Sequence, residues 1–419
     1  MQSNLPINAE MYFYSFTSDG NISMLLFRRF SASSRDLKYF LVASFCLGMA
    51  GSIIDATLNN FLNFRFAPTG FQRSFLELPR ELPGLLVVVV SAILAFLCSR
   101  RLGALAMVFS MLGAVFMGFF SRTYALMMLW LFLYSLGQHL FIPVSSTIGM
   151  ELAAEGRVGR RLGQLNSIRN LSAVIGSFLV FVAFKYAHLG FIHTFIIAGA
   201  GFTLSAIVLF MMQPKKPHSA RLFLKPHREY RSYYLLAVLY GSRKQLFLTF
   251  APWVLVTVFR QPTQTIATLL TIGGVIGIFF QPLLGWSIDH LGERVVLASE
   301  AILLIVVCAG YGFARNLFAP QTAFIIACGC FLLDQMLMSV NMARTTYMRK
   351  IALHASDIQP SLTLATSMDH VFSIAIALLA GTLWSAFGYQ YVFLLGAVIA
   401  AANLVAALRI RVPGPITNT

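Results

Sequence analysis

Long apolar runs recur along the chain at approximately 39–64, 74–99, 103–121, 124–149, 163–186, 190–212, 233–259, 264–288, 294–313, 319–343, 361–384 and 389–408, with short polar segments between them. A helix needs about 20 apolar residues to cross a hydrocarbon core of roughly 30 Å, and these runs approach or exceed that length. The pattern predicts an all-α membrane protein with twelve transmembrane helices. An even number of crossings puts both termini on one side. Pro252, Pro282 and Gly381 fall inside runs, where neighbouring membrane helices can satisfy the backbone groups they free.

The polar segments divide the chain. Residues 1–37 are mixed in character and lack the charged start, short apolar core and small-residue cleavage site of a signal peptide. They read as a cytoplasmic tail, whose amphipathic end MLLFRRFSASSRDLK can rest on lipid headgroups. The basic segment QPKKPHSARLFLKPHREYR at 213–231 separates six runs from six, giving bundles at 38–212 and 232–410 and a short tail at 411–419. A weak internal repeat agrees with this division. Gly190, Phe191, Phe195 and Gly199–Ala200 correspond to Gly388, Tyr389, Phe393 and Gly396–Ala397 in the sixth and twelfth runs.

Composition narrows the class. Hydrophobic residues make up 58% and charged residues 11%, with a mean hydropathy of +0.76, against roughly 25% charged in a soluble domain. The net charge of +16 would suit nucleic acid, but its distribution argues otherwise. With the termini inside, twenty-one lysines and arginines fall on the cytoplasmic side, seven on the other, and three within spans. This is the positive-inside bias, and no nucleic-acid partner is expected. All five cysteines lie in apolar runs and read as small core residues rather than a disulfide framework or metal site.

The loop after the eighth run reads GWSIDHLGER, in which Gly285, Asp289, Gly292 and Arg294 form a G-x-x-x-D-x-x-G-x-R pattern. Together with twelve spans, a basic central loop and a six-plus-six repeat, this resembles the major facilitator superfamily of secondary transporters. The resemblance implies two six-helix bundles, a monomer, alternating access, and a gating role for those four loop residues. The corresponding loop after the second run, CSRRLG, has Ser99 or Arg100 in place of the acid. The fifth run lacks the Gly-Pro signature that resembles drug antiporters of the family. There is no GxxxxGK[ST] nucleotide loop and no HExxH spacing, so neither ATP hydrolysis nor membrane-enzyme chemistry is expected, and no cofactor or metal is called for.

Ionisable groups within the runs carry the chemistry, because an arginine or lysine at the centre of a span costs about 2.5–3.5 kcal/mol on insertion scales. Arg243 and Lys244 lie side by side, with fifteen residues between Lys244 and Arg260. Asp55 forms a polar stripe with Ser52 and Asn59 in the first run. Asp334 lies mid-span, with Asn341 two turns on. Asp369 and His370 enter the eleventh run from the cytoplasmic side, and Arg169 enters the fifth. The resemblance places runs one, four, seven and ten around a central cavity. The expected substrate and proton pathway is therefore Asp55, Asn59, Arg169, Arg243, Lys244, Asp334, Asn341, Asp369 and His370. Arg243 is expected to face substrate, Lys244 to pair with Asp334 or Asp369, and Glu300 to snorkel. Arg73, Glu77, Arg80 and Glu81 form a charge ladder at helical spacings, with an outer latch as the alternative. The functional expectation is a proton-coupled symporter of a small organic anion in the plasma or bacterial inner membrane. The alternatives are a proton-driven exporter of drugs or metabolites and a non-transporting sensor.

Overall fold

The computed structural model describes residues 34–94, 96–153, 158–214 and 227–410. Most of the expected tail at 1–37, the middle of the basic segment at 213–231, and the tail at 411–419 lie outside the described residues.

The described chain is almost entirely helical. In order, the helices are α1 (Arg35–Phe66), α2 (Gly70–Phe75), α3 (Glu77–Ile93), α4 (Ser99–Phe120), α5 (Tyr124–Glu151), α6 (Val158–Lys185), α7 (Phe191–Phe210), α8 (Arg231–Thr257), α9 (Thr263–Leu291), α10 (Glu293–Leu317), α11 (Pro320–Met338), α12 (Asn341–Ile351), α13 (Ala355–Phe387) and α14 (Tyr389–Arg409). Among the described residues, ten helical segments are long and apolar enough to cross a membrane. Neither α8 nor the α2–α3 pair is among them. Those are the segments that hold Arg243 with Lys244 and the Arg73–Glu81 ladder. The first lacks a sufficiently apolar stretch because of its cations, and the second is divided into two shorter helices.

Helix starts follow local chemistry. The Ser34 hydroxyl accepts from the Leu37 amide, and Thr123 does the same for Leu126. Thr69 and Gln72 cap each other reciprocally at the start of α2. Gly190 and Gly388, aligned in the sequence repeat, are the N-caps of α7 and α14, and the aligned Phe195 and Phe393 are both buried.

Packing separates α1–α7 from α8–α14, and the two groups use the same pairings. In the first, α1 packs on α6 and α7, α4 on α7, and α3 on α5. In the second, α8 packs on α13 and α14, α10 on α14, and α9 on α11. Small residues permit the close approaches, as membrane interfaces require. A Cβ on Gly113 would meet the Tyr134 amide nitrogen at 2.3 Å, and one on Gly137 would meet the Ala106 carbonyl at 2.3 Å, so α4 and α5 pack backbone to backbone. Between the groups, α6 meets α9, α13 meets α2 and α3, and α1 touches α8 and α9.

Three boundaries depart from the sequence reading. The tenth run is interrupted at Ser339–Val340, so α11 and α12 are separate. The second run is two helices that meet at Leu76. Helix α13 begins at Ala355 rather than near 361, which moves Asp369 and His370 from its entrance to the middle of its 33 residues.

The loop bearing the gating signature is a sharp turn between α9 and α10. Gly292 adopts φ 81° and ψ 159° there, a region open essentially to glycine alone. Gly292→Ala is expected to cost about 1–3 kcal/mol in unfolding free energy in detergent, even though no atom would touch the new Cβ. Asp289 and Arg294 are exposed at this turn, and the buried charge beside them is Glu293, which pairs with Lys350 of α12 at 2.8 Å. Outside the membrane region, the Tyr230 hydroxyl donates to Asp357 at 2.7 Å and accepts from the Leu353 amide at 3.0 Å, tying the start of α8 to that of α13. The Tyr230 bond holds the Asp357 carboxyl below its ordinary range, so this tie weakens as pH falls through that depressed value.

Candidate functional site

A cavity of about 540 Å³ lies between the two helix groups, in the half of the molecule nearer the α9–α10 turn. Its walls come from α1, α5, α6, α9 and the end of α11. Polar lining residues include Asp55, Gln138, Asn166, Arg169, Gln281 and Gln335. A second chamber of about 150 Å³ continues toward the other face and shares Asp55, Leu270 and Gln335 with the first, so Asp55 sits at the partition.

The expected stripe on α1 is divided among three surroundings. Ser52 turns to α6, donating to the Ala173 carbonyl and lying 2.6 Å from the Ser177 hydroxyl. Asp55 faces the cavity. Its side chain is 59% exposed although its helix is in the centre of the protein, and its nearest cation, Arg80, is 3.9 Å away. Asn59 is buried and accepts from Arg73 at 3.1 Å.

Arg169 lines the same cavity, near the level of Gly48, where a Cβ would meet the Arg169 backbone. Among the described residues its guanidinium has no ion-pair or hydrogen-bond partner. In this it differs from Arg73, Arg80, Arg100, Arg243, Lys244 and Arg344, each of which has a carboxylate within 4.0 Å. Some seven residues of α1 separate Gly48 from Asp55, which puts the Arg169 backbone and the acid roughly 10 Å apart along the helix axis.

Both adjacent cations of α8 pair with carboxylates, Lys244 with Asp369 as expected and Arg243 in place of the substrate-facing role expected of it. Arg243 is 2% exposed. It donates to Asp334 at 2.7 Å and to Glu300 at 3.2 Å, away from the large cavity. Lys244, about 100° round the helix, pairs with Asp369 at 2.5 Å and keeps 21% of its side chain exposed. Glu300 does not snorkel. It is 1% exposed and its second oxygen accepts from Arg344 of α12, which packs against α10, at 2.6 Å. The result is a buried chain of two arginines and two carboxylates, with the Arg344 guanidinium 4.4 Å from the Tyr240 ring centroid. Asn341 is exposed at the start of α12, apart from Asp334, because the Ser339–Val340 break ends the face they were expected to share.

The Lys244–Asp369 pair depends on a glycine. A Cβ on Gly241 would lie 1.8 Å from an Asp369 oxygen. Alanine favours a helix by about 1 kcal/mol over glycine, whereas displacing Asp369 strands a largely desolvated lysine at a cost of about 1–3 kcal/mol. Gly241→Ala is therefore expected to be destabilising in thermal unfolding. A stabilised variant would show that Asp369 moves freely.

The ladder on α2 and α3 forms local pairs, as its spacing predicts, but it is buried and does not stop there. Arg73 binds Glu77 at 2.7 Å, and the other Glu77 oxygen accepts from Gln245 of α8 at 2.8 Å. Glu81 reaches His370 of α13 at 2.7 Å. With the Asn60 bond to the Gln261 carbonyl and the Phe71 amide bond to Ser385, these links close the first helix group against the second on the side away from the large cavity.

The sequence reading missed His139, Gln245 and Arg344. His139 had a usable signal as an ionisable residue in the middle of an apolar run. Arg344 was masked by its place near a loop, and Gln245 by the cations beside it.

The chain matches the model of the Major Facilitator Superfamily over residues 40–360. No curated protein sequence matches it. Similar solved structures include the nucleoside transporter NupG, at 14% identity and a TM-score of 0.70, covering 90% of this chain and 100% of that one. A D-xylose-proton symporter aligns at 16% identity and a TM-score of 0.66, covering 89% and 96%. A POT family transporter in complex with 5-aminolevulinic acid aligns at 13% and 0.69, covering 89% and 95%.

Proposed function

The chain belongs to the major facilitator superfamily, and from that premise we propose that it carries a small organic anion across the membrane by alternating access, coupled to protons as a symporter. The observation that carries this reading is Arg169, a cation without a counter-ion among the described residues on the wall of a solute-sized cavity. A cation in low dielectric is costly until an anion joins it, and a carboxylate or phosphate on the solute supplies charge-assisted hydrogen bonds. The amide side chains of Asn166, Gln138 and Gln281 offer donors and acceptors for the rest of the solute.

The division of polar contacts supports the transport cycle. Ion networks hold helices within one group: Arg243, Asp334, Glu300 and Arg344 within α8–α12, and Arg100 with Glu151 at 2.5 Å within α1–α7. Among the described residues, the hydrogen bonds between groups are made by single side chains, at Glu77–Gln245, Glu81–His370, Asn60–Gln261 and Phe71–Ser385. Rigid bundles joined by breakable contacts suit rocking about a central site. With the basic loops cytoplasmic, the large cavity is the inward-facing vestibule and the links close the outer side. Asp55, at the partition between the chambers, is the proton carrier in this reading.

The test is uptake by proteoliposomes offered radiolabelled monocarboxylates, dicarboxylates and amino acids, with and without an imposed inward proton gradient. Accumulation of an anionic solute driven by that gradient is expected. Asp55→Asn should retain solute exchange but lose gradient-driven accumulation. Transport confined to uncharged solutes and indifferent to the gradient would overturn the reading.

A further inference from the structure

Away from the cavity walls, three helices bring together a constellation that transport of an organic anion does not require. Glu81 of α3, His139 of α5 and His370 of α13 each present a ligand atom within 4.8 Å of the others, with Glu81 9% exposed and the two histidines half-buried. Two belong to the first helix group and one to the second. We propose that these residues form a site for a divalent transition ion of the zinc class, and that the ion clamps the two helix groups together in this conformation.

Three features of the geometry favour a metal over a chance cluster. Two imidazoles and one carboxylate are a ligand set suited to zinc, cobalt or nickel, and leave a fourth position for water. Hard cations such as magnesium and calcium prefer all-oxygen sites and are disfavoured. Next, the His139 ring is oriented as a metal-ligating histidine is: its Nδ1 is 3.0 Å from the Ser135 carbonyl, so the Nδ1 proton is donated there and Nε2 is left with a free lone pair. The Ser135 hydroxyl, also 3.0 Å from Nδ1, donates to the Arg80 carbonyl and so ties α5 to α3 beside the site. Third, the His370 ring is seated. It lies against Gly84, one turn from Glu81, where a Cβ would come within 2.5 Å of the ring, and its Nδ1 is 2.7 Å from Glu81 Oε2.

The neighbouring cations are occupied elsewhere: Lys244 is neutralised by Asp369, and Arg80 is directed at Asp55 and Glu77. Tetrahedral ligation at 2.0–2.1 Å brings ligand atoms to about 3.3 Å apart. Binding therefore requires the most widely separated ligand atoms to draw in by roughly 1.5 Å while the 2.7 Å Glu81–His370 hydrogen bond opens and gives up its proton, movements within reach of side-chain rotation and a small approach of α5 to α13. Because the ligands come from both groups, the ion is held only while α3 and α5 stand against α13.

The test uses the full-length protein, purified in detergent without a histidine tag and stripped with chelator. Titration with Co²⁺ is expected to give the d–d absorption of a low-coordinate site at one ion per chain. Addition of Zn²⁺ should quench that absorption, raise the melting temperature and slow hydrogen exchange in 77–93 and 355–387. His139→Ala, His370→Ala and Glu81→Gln should each weaken Co²⁺ binding at least about tenfold. Gly84→Ala, which keeps all three ligands but displaces the His370 ring, should do the same. Metal-free melting temperatures separate loss of the site from loss of the fold. Absence of the absorption, or its persistence in the His139→Ala/His370→Ala double variant, overturns the site. Bound Zn²⁺ with unchanged exchange in α3 and α13 overturns the clamp.

Discussion

Glu300→Gln is expected to destabilise the protein by about 3–5 kcal/mol, measured as equilibrium unfolding in detergent, despite its distance from the cavity. Glu300 serves two arginines at once, with one oxygen 3.2 Å from Arg243 and the other 2.6 Å from Arg344. The three side chains are each no more than 2% exposed. Glutamine preserves volume and some hydrogen bonding but leaves Asp334 as the sole acid in the chain facing two buried guanidiniums. The resulting net charge has little solvent to screen it, which is why breaking a buried pair costs far more than the pair contributes. A charge-restoring partner distinguishes this account from simple packing loss. Glu300→Gln/Arg344→Met returns the cluster to one cation and one acid, and should recover at least half of the loss. Equal destabilisation in the single and double variants would remove charge balance as the explanation.

The same cluster shows which aspects of the site were legible in the sequence. Adjacent Arg243 and Lys244 in an apolar run announce a polar interior, and their helical spacing separates their directions; both inferences hold in the structure. Which of them faces the open space was decided by partners distant in sequence. Arg243 meets acids from α10 and α11, and Arg344 of α12 meets the same α10 acid. No local pattern encodes that pairing. Glu300 reads as a snorkelling residue when its helix is considered alone. It is held inside because two arginines compensate its desolvation. The repeat at Gly190 and Gly388 was more legible, since a helix start needs only local chemistry, and both glycines prove to be N-caps.

Asp369 and His370 illustrate a related limit. Hydropathy marks where a run becomes apolar, so it set the start of the eleventh span near 361. Helix α13 begins six residues earlier in a polar turn, and the two residues then fall at the level of Lys244 and Glu81. Adjacent in sequence, they face different helices: Asp369 braces α8 within its own group, while His370 crosses to α3. One dipeptide thus joins a contact within one helix group to a contact between the two.

Arg169→Gln is expected to weaken binding of the transported anion by about 10- to 150-fold, the loss of one hydrogen bond to a charged group worth about 1.5–3 kcal/mol. Arg169→Lys should recover part of this, because it restores the charge but not the planar fork that holds a carboxylate with two parallel bonds. Affinity can be read from the concentration dependence of uptake, or by calorimetry in detergent once a solute is identified. Stability provides the sharper discrimination. A structural arginine loses partners when replaced, and the protein weakens. Arg169 has none among the described residues, so Arg169→Gln removes a desolvated, uncompensated cation and should leave the ligand-free protein as stable as the parent or more so. A residue kept at the expense of stability is the signature of a binding group. A lowered melting temperature with unchanged affinity would assign Arg169 to the scaffold and remove the main support for an anionic solute.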